Sequence, residues 1–193
     1  IPDGDVLIHA GDLGRAGDEA ELRDAAAWLR SLPHRHKVMT AGNHDALFER
    51  EPGRAREIFA GITVLIDEEA TVAGLRCYGS PWTPEYHSWS FMRSRGAAMA
   101  AVWAKVPVGL DLLITPGPPQ GILDDASSYR GGSWAGPDLS GCEELARRVA
   151  IVRPRVHAFG HIHGQQGVLE KGGTTFVNCT TSECEALPVV LDL

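Results

Sequence analysis

Three short apolar runs each end in a cluster of Gly, Asp, Asn or His, and that recurrence restricts the folds open to this chain. Val6-Leu7-Ile8 leads into His9-Ala10-Gly11-Asp12, and the run 37–40 leads into Ala41-Gly42-Asn43-His44-Asp45. The run 155–159 leads into Gly160-His161-Ile162-His163-Gly164. Such runs read as buried strands. The polar clusters then fall on loops leaving the strands' carboxyl ends, where open α/β sheets collect ligands. Asp, Asn and paired His supply hard oxygen and imidazole nitrogen with no accompanying thiolate, a mixture suited to Mn, Fe or Zn.

Between these runs the chain alternates helix and strand early and favours strands late. Leu22, Ala25, Ala26, Leu29 and Leu32 recur at helical spacing, with Asp18 as N-cap and Pro33 as stop. A short helix is predicted over 54–59, strands near 62–66, 70–73 and 75–78, a helix over 90–105 and a strand over 110–115. Ser140 and Glu143 form an S-x-x-E capping box for a helix running to Val152. Residues 167–193 read as three strands, with Gly172-Gly173 as a hairpin turn. The Ser- and Gly-rich stretch 127–136 is expected to be a mobile loop. With 193 residues and no linker, repeat or low-complexity tract, residues 1–193 are expected to form one domain.

The formal charge of −7 argues against gripping long nucleic acid through its phosphates. A small anionic substrate stays open, because bound cations reverse the local field. No apolar run approaches a membrane span, so no membrane partner is expected. Cys77, Cys142, Cys179 and Cys184 are scattered without a C-x-x-C pair. Cys179 and Cys184 are close enough in sequence to bridge, but a reduced, cytoplasmic chain is the expectation.

Gly11-Asp12, Gly42-Asn43-His44-Asp45 and Gly160-His161-Ile162-His163, in that order, resemble the calcineurin-like metallophosphoesterase superfamily. Gly79-Ser80-Pro81-Trp82-Thr83-Pro84, and Gly117-Pro118-Pro119 followed by 121–124, resemble its small metallophosphoesterase-domain (MPPED-like) branch. The resemblance implies a four-layer αββα sandwich of two mixed sheets flanked by helices. It also implies two divalent cations, Mn, Fe or Zn. Asp12 would bridge both, Asn43 and His161 would bind the second, and His163 the first. His44 would face the phosphoryl or leaving-group oxygen, with Asp45 orienting its ring. Two cations about 3.5–4 Å apart can share a hydroxide nucleophile for in-line attack on a phosphate ester.

Two departures bear on this. The family's first motif, D-x-H, does not occur upstream of Gly11-Asp12; we expect the natural gene to encode that strand. Where the family reads Thr-His-x-Pro-Pro, this chain reads Thr115-Pro116-Gly117-Pro118-Pro119, and proline offers no donor. One or two cations are therefore expected.

The expected function is a metal-dependent phosphodiesterase acting on a small phosphate ester, a nucleotide among the candidates. The alternatives are a degenerate member that binds a nucleotide or protein without turnover, and a metal hydrolase repurposed for a non-phosphate substrate. Trp82 and His87, with Tyr86, lie on a proline- and aromatic-rich loop that can wall a substrate; core packing is the competing reading. His9 and His157 read as packed histidines, His34 and His36 as surface ones, and Asp124-Asp125 as a solvated turn.

Overall fold

The computed structural model describes residues 1–127, 139–181 and 186–193. Its elements run β1 (Val6–His9), α1 (Glu19–Ser31), β2 (His36–Met39), α2 (Ala46–Arg50), α3 (Pro52–Ile58), β3 (Thr63–Val64), β4 (Glu68–Val72) and β5 (Leu75–Gly79). There follow β6 (Thr83–Pro84), β7 (Met92–Arg93), α4 (Ala97–Trp103), β8 (Leu112–Ile114), α5 (Glu143–Val152), β9 (Val156–Phe159), β10 (Gly167–Lys171) and β11 (Thr174–Asn178). β1, β2 and β3 form one parallel sheet in that order. A mixed six-stranded sheet has the order β10-β11-β9-β8-β5-β4, and β6 pairs with β7 alone.

Strand alternation explains how these elements stack. Successive side chains point to opposite faces of a strand, and the core divides accordingly into three apolar clusters. Val38 of β2, with Val6 and Ile8 of β1, packs against Leu112, Ile114, Val156, Ala158 and Val177 of the large sheet. Their neighbours Leu7 and Met39 turn the other way, onto Leu22, Leu29, Phe48 and Phe59 beneath α1, α2 and α3. Leu113, Phe159 and Phe176 face the opposite side of the large sheet, where α4 and α5 contribute Met99, Trp103, Leu145 and Val149. The layers are thus helices, small sheet, large sheet and helices, as the resemblance implies. Each fully buried Leu or Phe contributes about 1.5–3 kcal/mol.

The Asp18 cap is formed: its Oδ1 accepts from the Glu21 amide at 2.9 Å. The Gly172-Gly173 hairpin also forms, with both glycines at positive φ, as a two-residue primed turn needs. Other details differ. The stretch 90–105 is not one helix, because Met92–Arg93 is drawn into β7 and Gly96, at φ +81°, separates it from α4. The capping box does not form. Cys142 occupies the N-cap, its Sγ accepting from the Leu145 amide at 3.4 Å, while the Ser140 amide is taken by the Asp124 carbonyl. Among the described residues of the carboxyl-terminal stretch there are two strands, β10 and β11, and residues 186–193 are irregular. The predicted mobile loop 127–136 lies, beyond residue 127, outside the described residues.

Three polar expectations are also corrected. His34 is buried and bonds the Pro2 carbonyl at 3.0 Å, and His36 is half-buried at the start of β2. Asp124 is 2% exposed and accepts the Gly141 amide, so it braces a chain crossing instead of meeting solvent. His157 is packed as expected, wholly buried in β9, and its Nε2 lies 2.8 Å from the Thr115 hydroxyl. That hydroxyl spends its own hydrogen on the Gly117 carbonyl, so His157 donates from Nε2.

Burial pushes the His157 pKa down to about 3. The folded value lies below the unfolded one, so the unfolded chain takes up a proton that the native state refuses, and stability falls as pH drops below about 6.5. His157→Gln keeps a donor to Thr115 without the charge. The loss of unfolding free energy between pH 6.5 and 4, read from urea titrations, should shrink by up to about 1.4 kcal/mol per pH unit.

Candidate functional site

β1 and β2 are parallel neighbours, so their carboxyl-terminal loops leave side by side. Gly11 has φ +97°, and a Cβ there would stand 2.6 Å from the backbone of Ala41 and Gly42. A Cβ on Gly42 would fall 2.2 Å from the Asp12 carboxylate. Only glycine allows the two loops to close on each other with the Asp12 side chain between them.

Asp45 fastens this contact. Wholly buried, its Oδ2 accepts from the Gly42 amide at 2.8 Å and the Asp12 amide at 2.9 Å, and its Oδ1 accepts from the Leu13 amide at 2.9 Å. The expectation that Asp45 orients the His44 ring is therefore corrected. The ring's Nδ1 lies 2.7 Å from the Arg15 carbonyl, and a carbonyl can only accept, so Nδ1 carries the hydrogen and Nε2 is left for chemistry.

Asp12 receives the His44 amide on Oδ1 at 3.0 Å. Its Oδ2 lies 3.8 Å from Nδ1 of His161, an ion-pair distance longer than a hydrogen bond. Both side chains are carried on left-handed backbone, φ +59° for Asp12 and +69° for His161. Strain of that kind in non-glycine residues concentrates at functional sites. Burial acts to raise the Asp12 pKa, but His161 and the His44 amide outweigh it and leave the carboxyl below its ordinary value. Asp45 is pushed up to about 7, by burial first and then by the charge on Asp12, against the pull of its three amides.

Asn43 is 2% exposed, yet neither Oδ1 nor Nδ2 has a hydrogen-bond partner. An orphaned buried amide costs about 1–3 kcal/mol, and the next residue, His44, donates its backbone N–H to the Asp12 carboxylate. Among the described residues no three His, Cys, Asp or Glu side chains converge on one metal position. With the amide oxygen added, Asp12, Asn43 and His161 offer two hard oxygens and one imidazole, which fits a single divalent cation. His163 stands half-buried at the first residue of the 3₁₀ turn His163–Gln165. The loop carrying both histidines borders Pro116, whose carbonyl accepts the Gly160 amide at 2.8 Å.

Asn178, which the sequence did not single out, holds that loop. Its Nδ2 donates to the Ile162 carbonyl at 2.8 Å and to the Leu123 carbonyl at 3.3 Å. The available signal was its position, a polar residue ending a strand, here one paired with the strand that delivers His161. Trp82 lies between two cores. Its indole N–H donates to Asp67 at 3.0 Å and the Arg93 guanidinium covers its ring at 3.9 Å. That is the packing reading of Trp82. His87 is exposed, with its ring against Tyr86 and Trp89; Trp89 was not singled out either.

Asp45→Asn should expose the importance of the clamp. An amide group cannot accept all three N–H donors, so we expect a loss of about 2–4 kcal/mol in denaturant unfolding at pH 8, together with loss of manganese binding. Unchanged values for both would show that the loops hold their places without it.

The chain matches the family model described as calcineurin-like phosphoesterase over residues 1–165. Metallophosphoesterase domain-containing protein 1 of Homo sapiens is 38% identical over 223 aligned positions, covering 100% of this chain and 66% of its own length. A UPF0046 protein of Caenorhabditis elegans is 36% identical, covering 100% of this chain and 74% of its own length. Among solved structures, the phosphopantetheinyl hydrolase of Mycobacterium tuberculosis superposes with a TM-score of 0.58 at 13% identity, covering 90% of this chain and 78% of that one, a likeness of fold alone. The extent of the family match and the identity to these relatives establish that this chain belongs to the calcineurin-like phosphoesterase family.

Proposed function

We propose that this protein is a metal-dependent phosphoesterase, acting on phosphodiesters of small molecules, nucleotides among them. The observation that carries the reading is the orphaned buried amide of Asn43, whose neighbour His44 donates its backbone N–H to the Asp12 of the Asp12–His161 pair, within a family of phosphoesterases. The diesterase preference rests on the resemblance to the MPPED-like branch alone, which is an analogy of family. A divalent cation on Asp12, Asn43 and His161, with His163 as the candidate for a second, would polarise the phosphoryl oxygens and supply a hydroxide nucleophile near neutral pH. The chain's own residues do the rest. Asp12 and Asp45 hold the site electronegative enough to retain a cation. His44, locked through Nδ1 onto Arg15, offers Nε2 to the oxygen that departs, as hydrogen-bond donor or general acid.

The scattered cysteines are the basis for proposing a reducing, cytoplasmic location; Cys184, the candidate partner of Cys179, lies outside the described residues. Among the described residues no helix is long and apolar enough to cross a membrane.

The test is hydrolysis of bis(p-nitrophenyl) phosphate with manganese, alongside elemental analysis of bound metal. Asp12→Asn should lose both metal and turnover. His44→Ala should keep the metal while kcat falls by about 10²–10⁴-fold. A fully metallated, active Asp12→Asn variant would remove Asp12 from the site. Pro116 favours a second reading, a binding protein with little turnover, because it stands where the family resemblance puts a donor. Pro116→His should then tighten manganese binding in a competition assay with a fluorescent chelator; unchanged affinity would place residue 116 outside the metal's reach.

A further inference from the structure

Four rings run in sequence from the candidate site to solvent. The His44 ring meets Trp89 with centroids 4.7 Å apart at 46°, Trp89 meets His87 at 5.2 Å and 52°, and His87 meets Tyr86 at 4.2 Å and 65°. The outer members are not core residues: Trp89 is 44% exposed and Tyr86 59%. Aromatic surface left in water is unfavourable, and a continuous strip of it beside a candidate catalytic histidine marks a place where an apolar body can bind.

The strip is mounted on a fixed base. β6 pairs with β7 at the foot of the loop, the Thr83 amide bonds the Phe91 carbonyl at 2.9 Å and the Glu85 amide bonds the Arg93 carbonyl at 2.9 Å. The Phe91 amide donates to Glu49 at 3.0 Å. The loop is also tied to the site, because the Ser90 amide donates to the backbone carbonyl of Asn43 at 3.3 Å. A shelf anchored in this way needs little ordering to receive a ligand, and Trp and Tyr bury large flat areas at small entropic cost.

The geometry points to Trp89, flanked by His87 and Tyr86, as the residue that selects substrates whose departing alcohol carries a planar aromatic ring. This rests on the phosphoesterase reading, which puts the phosphoryl group at Asp12 and the departing oxygen at His44. A group attached to that oxygen emerges on the side of Trp89. The ring belongs to a nucleobase or to a simple aryl group; both offer the flat π-face that stacking on an aromatic side chain uses. Trp82, by contrast, has its indole N–H engaged by Asp67 and one face covered by Arg93, so it supports the loop from beneath.

The experiment is calorimetric titration of the manganese-loaded protein with adenosine 5′-monophosphate, phenyl phosphate and ribose 5-phosphate. Wild-type, Trp89→Ala, Trp89→Leu and Trp89→Phe proteins are compared after each is shown to unfold cooperatively. We expect at least one ring-bearing ligand to bind about 10- to 100-fold tighter than ribose 5-phosphate. That ratio should fall to within twofold of one in the Ala and Leu variants and be largely kept in the Phe variant. Preference for the adenosine compound alone assigns a nucleobase; equal preference for phenyl phosphate assigns any aryl group. A wild-type ratio near one, no binding of any of the three, or a ratio that survives both Trp89→Ala and Trp89→Leu overturns the assignment. The phosphoesterase reading fails separately, through absence of metal-dependent hydrolysis while the ring-dependent difference in binding persists.

Discussion

One carboxylate joins the two loops on which the site depends. Asp45 sits at the end of the β2 loop and accepts amides from its own loop at Gly42 and from the β1 loop at Asp12 and Leu13. Burying a carboxylate costs several kcal/mol, and three charge-assisted bonds of about 1.5–3 kcal/mol each offset part of that cost while both loops keep their shape, the remainder showing in a pKa raised to about 7. If the amides turn away, the buried charge is left unpaired. The clamp therefore also fixes the unfavourable backbone of Asp12, whose left-handed φ would relax in a free loop.

The rest of the site comes from the other sheet. His161 follows β9, so its distance to Asp12 is set by how the small and large sheets pack through Val38, Ile114, Val156 and Ala158. Close-packed interiors transmit even small shifts. Asn178 and Pro116 brace the His161 loop from the neighbouring strands β11 and β8, through the Ile162 carbonyl and the Gly160 amide. The two halves of the candidate metal centre are thus positioned by a common apolar layer that contains none of their own atoms.

What the sequence revealed and what it hid divide along the range of the interactions. The strands other than β6 and β7, and the Asp18 cap, were legible from neighbours within a few positions, as apolar runs and as a side chain three residues from its amide. The three loop clusters were legible because their strand context repeats. Asp45 was visible as a residue but not in its role, since its partners at positions 12 and 13 lie 33 and 32 residues away. The capping box failed for a similar reason: Ser140 carries the right side chain, but its backbone is committed to Asp124. The stretch 90–105 read as one helix, and only pairing with Thr83–Pro84 explains why Met92–Arg93 becomes a strand. His34 looked like a surface residue beside a helix end until Pro2 folded back over it.

The charges of the site bear on its chemistry without reference to any relative. Asp12 is held ionised, Asp45 titrates near neutrality, and the chain carries a formal charge of −7. Placed there unaided, a phosphate ester would meet repulsion from at least one partly buried carboxylate, in surroundings where Coulomb terms are strong. A cation held by Asp12 with Asn43 and His161, ligands that bring no negative charge of their own, would invert that field. Neutral partners matter here, because a ligand set made only of carboxylates would cancel the cation's charge and leave nothing to attract an anion. The division of labour proposed for this protein follows from that balance. In that proposal Asp12, Asn43 and His161 would hold the cation, His44 would face the departing oxygen, and the aromatic shelf would receive whatever that oxygen carries.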